Sequence, residues 1–134
     1  MKIQRFEDIR AWQEARALAN LVYDATDAGA FARDFGLRNQ IREAAGSVMH
    51  NIAEGFDAGS DPEFIRFLKY SRRSASEVQS ELYLALDRKY LTPTTFQPIY
   101  DKATEVKKLI NAFIGYLHNG PRRPPDPPTT RPSD

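Results

Sequence analysis

His50 and Glu54 stand one helical turn apart and are the nearest this chain comes to a metal-ligating or acid–base pair. A di-iron site in a helical bundle takes two Glu-x-x-His elements and two further glutamates. The only histidines are His50 and His118, and neither ends such an element. Cysteine is absent, which excludes disulfides and thiolate metal sites. The run Gly55-Phe56-Asp57-Ala58-Gly59 lacks the lysine and the preceding strand of a phosphate-cradling loop. No nucleophile, base and orienting residue can be nominated together. The expectation is a protein that is not an enzyme, with no catalytic residue, no cofactor and no metal.

Binding chemistry is better represented. Arg66, Lys69, Arg72 and Arg73 place four cations within a short stretch of predicted helix, followed by Glu77 and Glu81. Such a cluster suits phosphate contacts, and Arg38 and Arg42 on the preceding helix would extend it. It equally suits a solvated face with pairs such as Arg73 to Glu77, each contributing only about 0–1 kcal/mol. Phe67 and Tyr70 offer rings for base stacking, although both read as half committed to packing. A second constellation, Gln40, Glu43, Ser47, Asn51 and Glu54, follows one flank of an apolar stripe. It reads as a polar seam between helices, with Asn51 fixing register. Glu54 near a helix C-terminus faces an unfavourable dipole, so a cationic partner is expected, Arg72 or Arg73. A third feature is Leu82-Tyr83-Leu84-Ala85-Leu86, apolar around the whole helix. Tyr83, Leu84 and Leu86 are the candidates for an oligomer interface.

Four helices must position these groups. The first is expected over about Glu7 to Ala28, with Ala11, Ala15, Leu18, Val22 and Ala25 on one stripe. A loop from Gly29 to Gly36 carries Phe31 and Phe35, both expected to dock. The second helix covers about Leu37 to Glu54, with Leu37, Ile41, Ala44, Ala45, Val48 and Ile52 inward. Gly46 within it costs on the order of 1 kcal/mol against alanine, which suggests a close helix neighbour. Gly55 reads as its C-terminal cap. The third helix starts at Asp61 with Pro62, or by a Ser60 and Glu63 capping box, and runs to near Tyr90. Phe64, Leu68, Ser71, Ala75, Val78, Leu82 and Ala85 form a heptad-like seam. The fourth begins near Thr92 or Thr95, carries Phe96, Ile99, Tyr100, Ala103, Val106, Ile110, Phe113, Ile114 and Leu117, and stops at Asn119-Gly120-Pro121. The fold class predicted is all-α, an antiparallel up-down-up-down four-helix bundle over residues 1–120. The proline-rich run 121–134 reads as a disordered tail.

The 134 residues suffice for one domain. The chain carries 19 basic and 18 acidic residues, and the body without 121–134 is formally neutral. A dedicated nucleic-acid binder is usually more basic, so binding would rest on local clustering or on fields that add in an oligomer. No apolar run approaches a membrane span of about 20 residues, and the N-terminal segment lacks a signal-peptide core. A cytoplasmic protein without membrane contact is expected.

Several blocks in order carry a family resemblance. They are Phe6-Glu7-Asp8-Ile9-Arg10-Ala11-Trp12-Gln13, then Gly36-Leu37, Gln40-Ile41-Arg42 and Ala44-Ala45. Ser47-Val48 follows, then Asn51-Ile52-Ala53-Glu54-Gly55-Phe56, and the match resumes at Phe64, Arg66-Phe67-Leu68 and Ser74 to Glu77. Over about residues 6–117 the chain resembles the proteins encoded by intervening sequences within bacterial 23S ribosomal RNA genes. The family commonly has a small residue and a Gly-Ser pair ahead of the third-helix glutamate, where this chain has Ser71-Arg72-Arg73-Ser74. The resemblance implies a four-helix bundle assembled as a ring-like homo-oligomer, a homopentamer. The family is similar to accessory proteins of diversity-generating retroelements, which bind a reverse transcriptase and nucleic acid. A non-enzymatic oligomer that binds RNA or a reverse-transcriptase-like protein is therefore the expectation; a scaffold recruiting a protein partner is the alternative.

Overall fold

The computed structural model describes residues 3–119. The run 121–134, expected to be a disordered tail, lies outside the described residues. Among the described residues the regular elements are all helical. A 3-10 turn, Phe6–Asp8, precedes α1 (Arg10–Ala25), a short α2 (Gly29–Arg33), α3 (Phe35–Phe56), α4 (Asp61–Asp87) and α5 (Pro93–Asn119). The four expected helices are α1, α3, α4 and α5; α2 forms within what was expected to be a loop.

The first helix is shorter than expected at both ends, and local hydrogen bonds explain why. The Gln13 side chain donates to the Glu7 carbonyl at 2.9 Å, and Phe6 meets Trp12 edge to face at 5.1 Å. These contacts hold residues 6–8 as a separate turn. At the other end, the buried Thr26 hydroxyl donates back to the Val22 carbonyl at 2.8 Å, and the helix ends at Ala25. The second expected helix starts earlier than Leu37 because Asp34 caps it, accepting from the Leu37 amide at 3.1 Å. Tyr90 donates to the other Asp34 oxygen at 2.9 Å. Those two bonds, the amide first, hold the Asp34 carboxyl below its usual range.

This cap also separates the two loop aromatics. Phe31 is buried and stacks on Tyr90 at 5.3 Å. Phe35, expected to dock as well, is the first residue of α3 and is 63% exposed.

Gly55 is not a cap. Helix α3 continues to Phe56, and Gly55 is buried within it. A Cβ there would lie 2.7 Å from Cδ1 of Phe64 and 2.9 Å from Cβ of Phe67. The glycine is what lets α4 approach α3 this closely. Gly46, for which a packing reason was expected, has none: a Cβ there meets only the His50 ring, at 3.7 Å.

Helix α4 starts at a Ser60 cap, whose hydroxyl accepts from the Glu63 amide at 3.3 Å, rather than at Asp61. Its expected seam, from Phe64 to Ala85, is buried at every position. It ends on Lys89 at φ 63. There the Lys89 amide donates to the Leu86 carbonyl and the Tyr90 amide to the Ala85 carbonyl. This is a Schellman ending with lysine where glycine is usual. Thr92 then caps α5, accepting from the Thr95 amide at 3.2 Å.

Helix α1 packs on α3 and α5, and α4 packs on the same two. Buried residues from all four long helices form one core, completed by Ile9, Phe31 and Leu91. Across α1 and α5, Lys102 donates to Glu14 at 2.6 Å and to Glu105 at 3.0 Å. Glu14 first and Glu105 second raise the Lys102 pKa. No helix among the described residues is long and apolar enough to cross a membrane.

Candidate nucleic-acid interface

The Ser60 cap and the acidic first turn of α4, Asp61 and Glu63, fix where the cation-bearing turns begin. Arg66, Tyr70 and Arg73 then recur at four and three residues, so they share one ridge. The Arg66 guanidinium donates to Tyr70 Oη at 2.8 Å and to Glu63 Oε1 at 2.6 Å. Glu63 first and Tyr70 second push its pKa above the ordinary arginine value. The same guanidinium lies 5.3 Å from the Phe67 ring centroid and 5.5 Å from that of Tyr70. Arg73 approaches Tyr70 at 5.4 Å, and Phe67 meets Tyr70 edge to face at 5.9 Å. The result is a ladder in which Tyr70 is shared by two guanidinium groups, with Phe67 alongside.

The other predicted cations fall elsewhere. Lys69 is exposed on α4, and no ion pair holds it among the described residues. Arg72 turns toward α5 and donates to Asn111 Oδ1 at 2.6 Å. Arg38 and Arg42 do not extend the cluster. Arg42 donates to the Thr26 hydroxyl at 2.7 Å and to the Thr26 carbonyl at 3.3 Å, and lies over Tyr23 at 4.5 Å. Arg38 donates to the Ala32 carbonyl at 3.0 Å and lies over Phe35 at 4.7 Å. Both are spent on fixing the chain between α1 and α3. The Arg73 to Glu77 pair is likewise not among the salt bridges of the described residues.

The predicted polar seam is narrower than its residue list. Asn51 Nδ2 donates to both the carbonyl and the hydroxyl of Ser47, each at 2.9 Å. Ser47 Oγ also accepts from Ser74 at 3.0 Å, and Ser71 donates to the Val48 carbonyl at 2.6 Å. Gln40 and Glu54 are exposed and take no part in these bonds. Glu54 pairs with neither Arg72 nor Arg73, because one is held by Asn111 and the other leans on Tyr70. Helix α3 runs on past Glu54 to Phe56, which also moves that carboxylate away from the terminal carbonyls.

Ser74 and Asn111 were missed as partners. The available signal for Ser74 was a small hydroxyl residue three places after the seam residue Ser71; for Asn111 there was none.

Farther along α4, Glu77 and Glu81 stand one turn apart. Burial first and the Glu77 charge second push the Glu81 carboxyl up to about 7. Its Oε1 is buried without a hydrogen-bond partner among the described residues. Of the three interface candidates, Tyr83 is 50% exposed and Leu84 49% exposed, while Leu86 is half-buried against the core. Tyr83 meets Phe96 at 5.1 Å and Tyr100 at 5.6 Å, an aromatic cluster open to solvent on one side.

The sequence model of the 23S rRNA-intervening sequence proteins matches residues 7–112. The chain belongs to that family. Among solved structures it is similar to a protein of unknown function from the S23 ribosomal protein family of Bacteroides thetaiotaomicron VPI-5482. The two are 24% identical, with a TM-score of 0.72, over 78% of this chain and 95% of that one. At that identity the likeness speaks for the fold. No curated protein matches the chain.

Within the span matched by the 23S rRNA-intervening sequence family, the structure gives the motif residues physical work. Gln13 closes the N-terminal turn, Asn51 braces Ser47 where α4 crosses, and Gly55 clears the space occupied by Phe64 and Phe67. Because Gly55 sits under Phe67, it also sets the base of the Arg66, Tyr70 and Arg73 ladder.

Proposed function

We propose that this family member is a non-enzymatic homo-oligomeric bundle, its long helices in up-down-up-down order, that binds RNA along the outer ridge of α4. The observation that carries the reading is the ladder of Arg66, Phe67, Tyr70 and Arg73. Guanidinium groups held over aromatic rings combine phosphate contact with a stacking platform, the pairing that single-stranded nucleic acid uses. Lys69 adds charge at the same level of the helix. The near-neutral net charge makes repetition of this ridge around a ring of subunits important, because fields from the copies add. The family resemblance favours five copies.

Tyr83 and Leu84, with the open Phe96 and Tyr100 rings beside them, supply an apolar surface for self-association. Recruitment of a reverse-transcriptase-like protein through that surface is the second reading.

The test is anisotropy of a labelled, structured RNA with single-stranded loops, titrated with nucleic-acid-free protein at low and moderate salt. Binding should weaken by roughly one log unit per log unit of salt for each phosphate neutralised. Reversing both Arg66 and Arg73 to glutamate should abolish it while the helical circular dichroism stays unchanged. Salt-insensitive binding, or full binding by the doubly reversed variant, rejects the ridge. Loss of RNA binding with retained self-association, against the converse for Tyr83→Glu, separates the two surfaces.

A further inference from the structure

At the end of the molecule where α5 finishes, an apolar groove of about 240 Å³ lies between α5 and the N-terminal segment. Ile3, Ile9, Ala11, Leu109, Phe113 and Tyr116 line it, with Arg10 at its edge. Phe113 and Tyr116 are neighbouring rings, 6.0 Å apart and tilted, and Tyr116 is exposed. An open apolar groove of this kind needs an occupant.

The sequence just beyond α5 has the matching shape. A polyproline II helix has three residues per turn. Written with that period, Pro121, Pro124 and Pro127 share one edge, Pro125 and Pro128 a second, and Arg123 and Asp126 the third. Two adjacent proline edges and one charged edge make an amphipathic rod. Aromatic-lined grooves are the surfaces that receive such rods.

The reach also fits. Asn119 ends α5 less than one turn after Tyr116, and Asn119-Gly120 is a strong turn pair. A chain reversing there runs back along α5. The ten helical residues from Leu109 to Asn119 rise about 15 Å, and the six residues from Gly120 to Asp126 span about 19 Å as polyproline II. Asp126 therefore arrives about level with Leu109 and the edge residue Arg10, its opposite charge.

We propose that residues 121–128 occupy this groove of their own chain as a polyproline II helix, with Pro124, Pro125 and Pro127 against Phe113 and Tyr116. The tether between rod and groove is a few residues, which sets an effective local concentration on the order of millimolar. That favours the chain's own segment over one from a second copy.

The absence of native cysteine permits a clean test. A nitroxide on Thr129→Cys in the full chain should broaden the methyl signals of Ile9 and Leu109 several-fold relative to a diamagnetic label. Changing Pro124, Pro125, Pro127 and Pro128 together to glycine should remove most of that broadening, because a flexible tether spreads the label over a large volume. Isotope-labelled chains mixed with spin-labelled, unlabelled ones should show none. Equal broadening in the glycine variant, absence of broadening in the parent, or broadening only between chains each overturns the proposal; the last would assign the groove to a neighbouring subunit's segment.

Discussion

Helix α4 is joined to its two neighbours by opposite means. Toward α3 the contacts are short: the Ser47, Ser71 and Ser74 hydroxyls, Asn51, and a glycine on which two phenylalanines rest. Toward α5 they are long. Gln79 donates to the Thr104 hydroxyl at 2.9 Å and to the Tyr100 carbonyl at 3.2 Å, Lys107 reaches Gln79 Oε1 at 2.9 Å, and Arg72 reaches Asn111. The first side holds by closeness and the second by reach. A close seam is damaged by added volume, because a packed site relaxes only at a cost. A long-armed seam is damaged by truncation, which leaves buried polar groups without partners.

The sharpest way to break the close side is Gly55→Ala. The added methyl meets Phe67 Cβ, which cannot swing away, so we expect a loss of about 1–3 kcal/mol in chemical denaturation despite alanine's better helix propensity. Gly46→Ala in the same helix meets no such neighbour and should gain up to about 1 kcal/mol. Equal effects at the two glycines would dissolve the distinction. On the reaching side, Gln79→Ala should cost about 1–3 kcal/mol by stranding Lys107 and the Thr104 hydroxyl. A negligible loss there would mean that water replaces the amide without penalty. Ser71→Ala removes one hydroxyl bond to the Val48 carbonyl and should cost about 1 kcal/mol, with little change in helix content.

The smallest effect concerns Glu81, two turns beyond Ser74 on the same flank. Its folded pKa, raised to about 7, exceeds the ordinary carboxyl value of 4.5. Below the ordinary value both states hold the proton, so nothing is lost. As pH climbs toward 7, the unfolded chain releases its proton while the folded chain retains it, and stability falls; above about 7 the loss levels off. Glu81→Gln should therefore stabilise the protein more at pH 8 than at pH 5, by up to about 1 kcal/mol given its partial exposure. A pH-independent difference between variant and parent would remove Glu81 as the source.

Much of this was legible in the sequence for a simple reason: apolar periodicity reports burial directly. Every position of the Phe64 to Ala85 seam, including the polar Ser71, is buried as its spacing required. Chemistry that depends on one particular neighbour was less visible. Gly55 after an apolar helix looks the same whether it caps the helix or admits a partner; only the position of Phe64 and Phe67 distinguishes the two. Arg38 and Arg42 look like spare charge until the Ala32 and Thr26 carbonyls are seen to receive them. Gln79, buried beside Val78, gave no sign of its role, because one polar residue next to a stripe does not disturb the period.

The Gly55 contact has a mechanical consequence. Where backbone meets ring without an intervening side chain, two helices have almost no freedom to part or slide, so that crossing acts as a pivot. Relative motion of α3 and α4 must then grow with distance from it. The far end of the pair carries exposed Gln40 and the like-charged Glu77 and Glu81 rather than a close contact. Any breathing of this protein should open there, leaving the Phe67 and Tyr70 end as the still point of the lever.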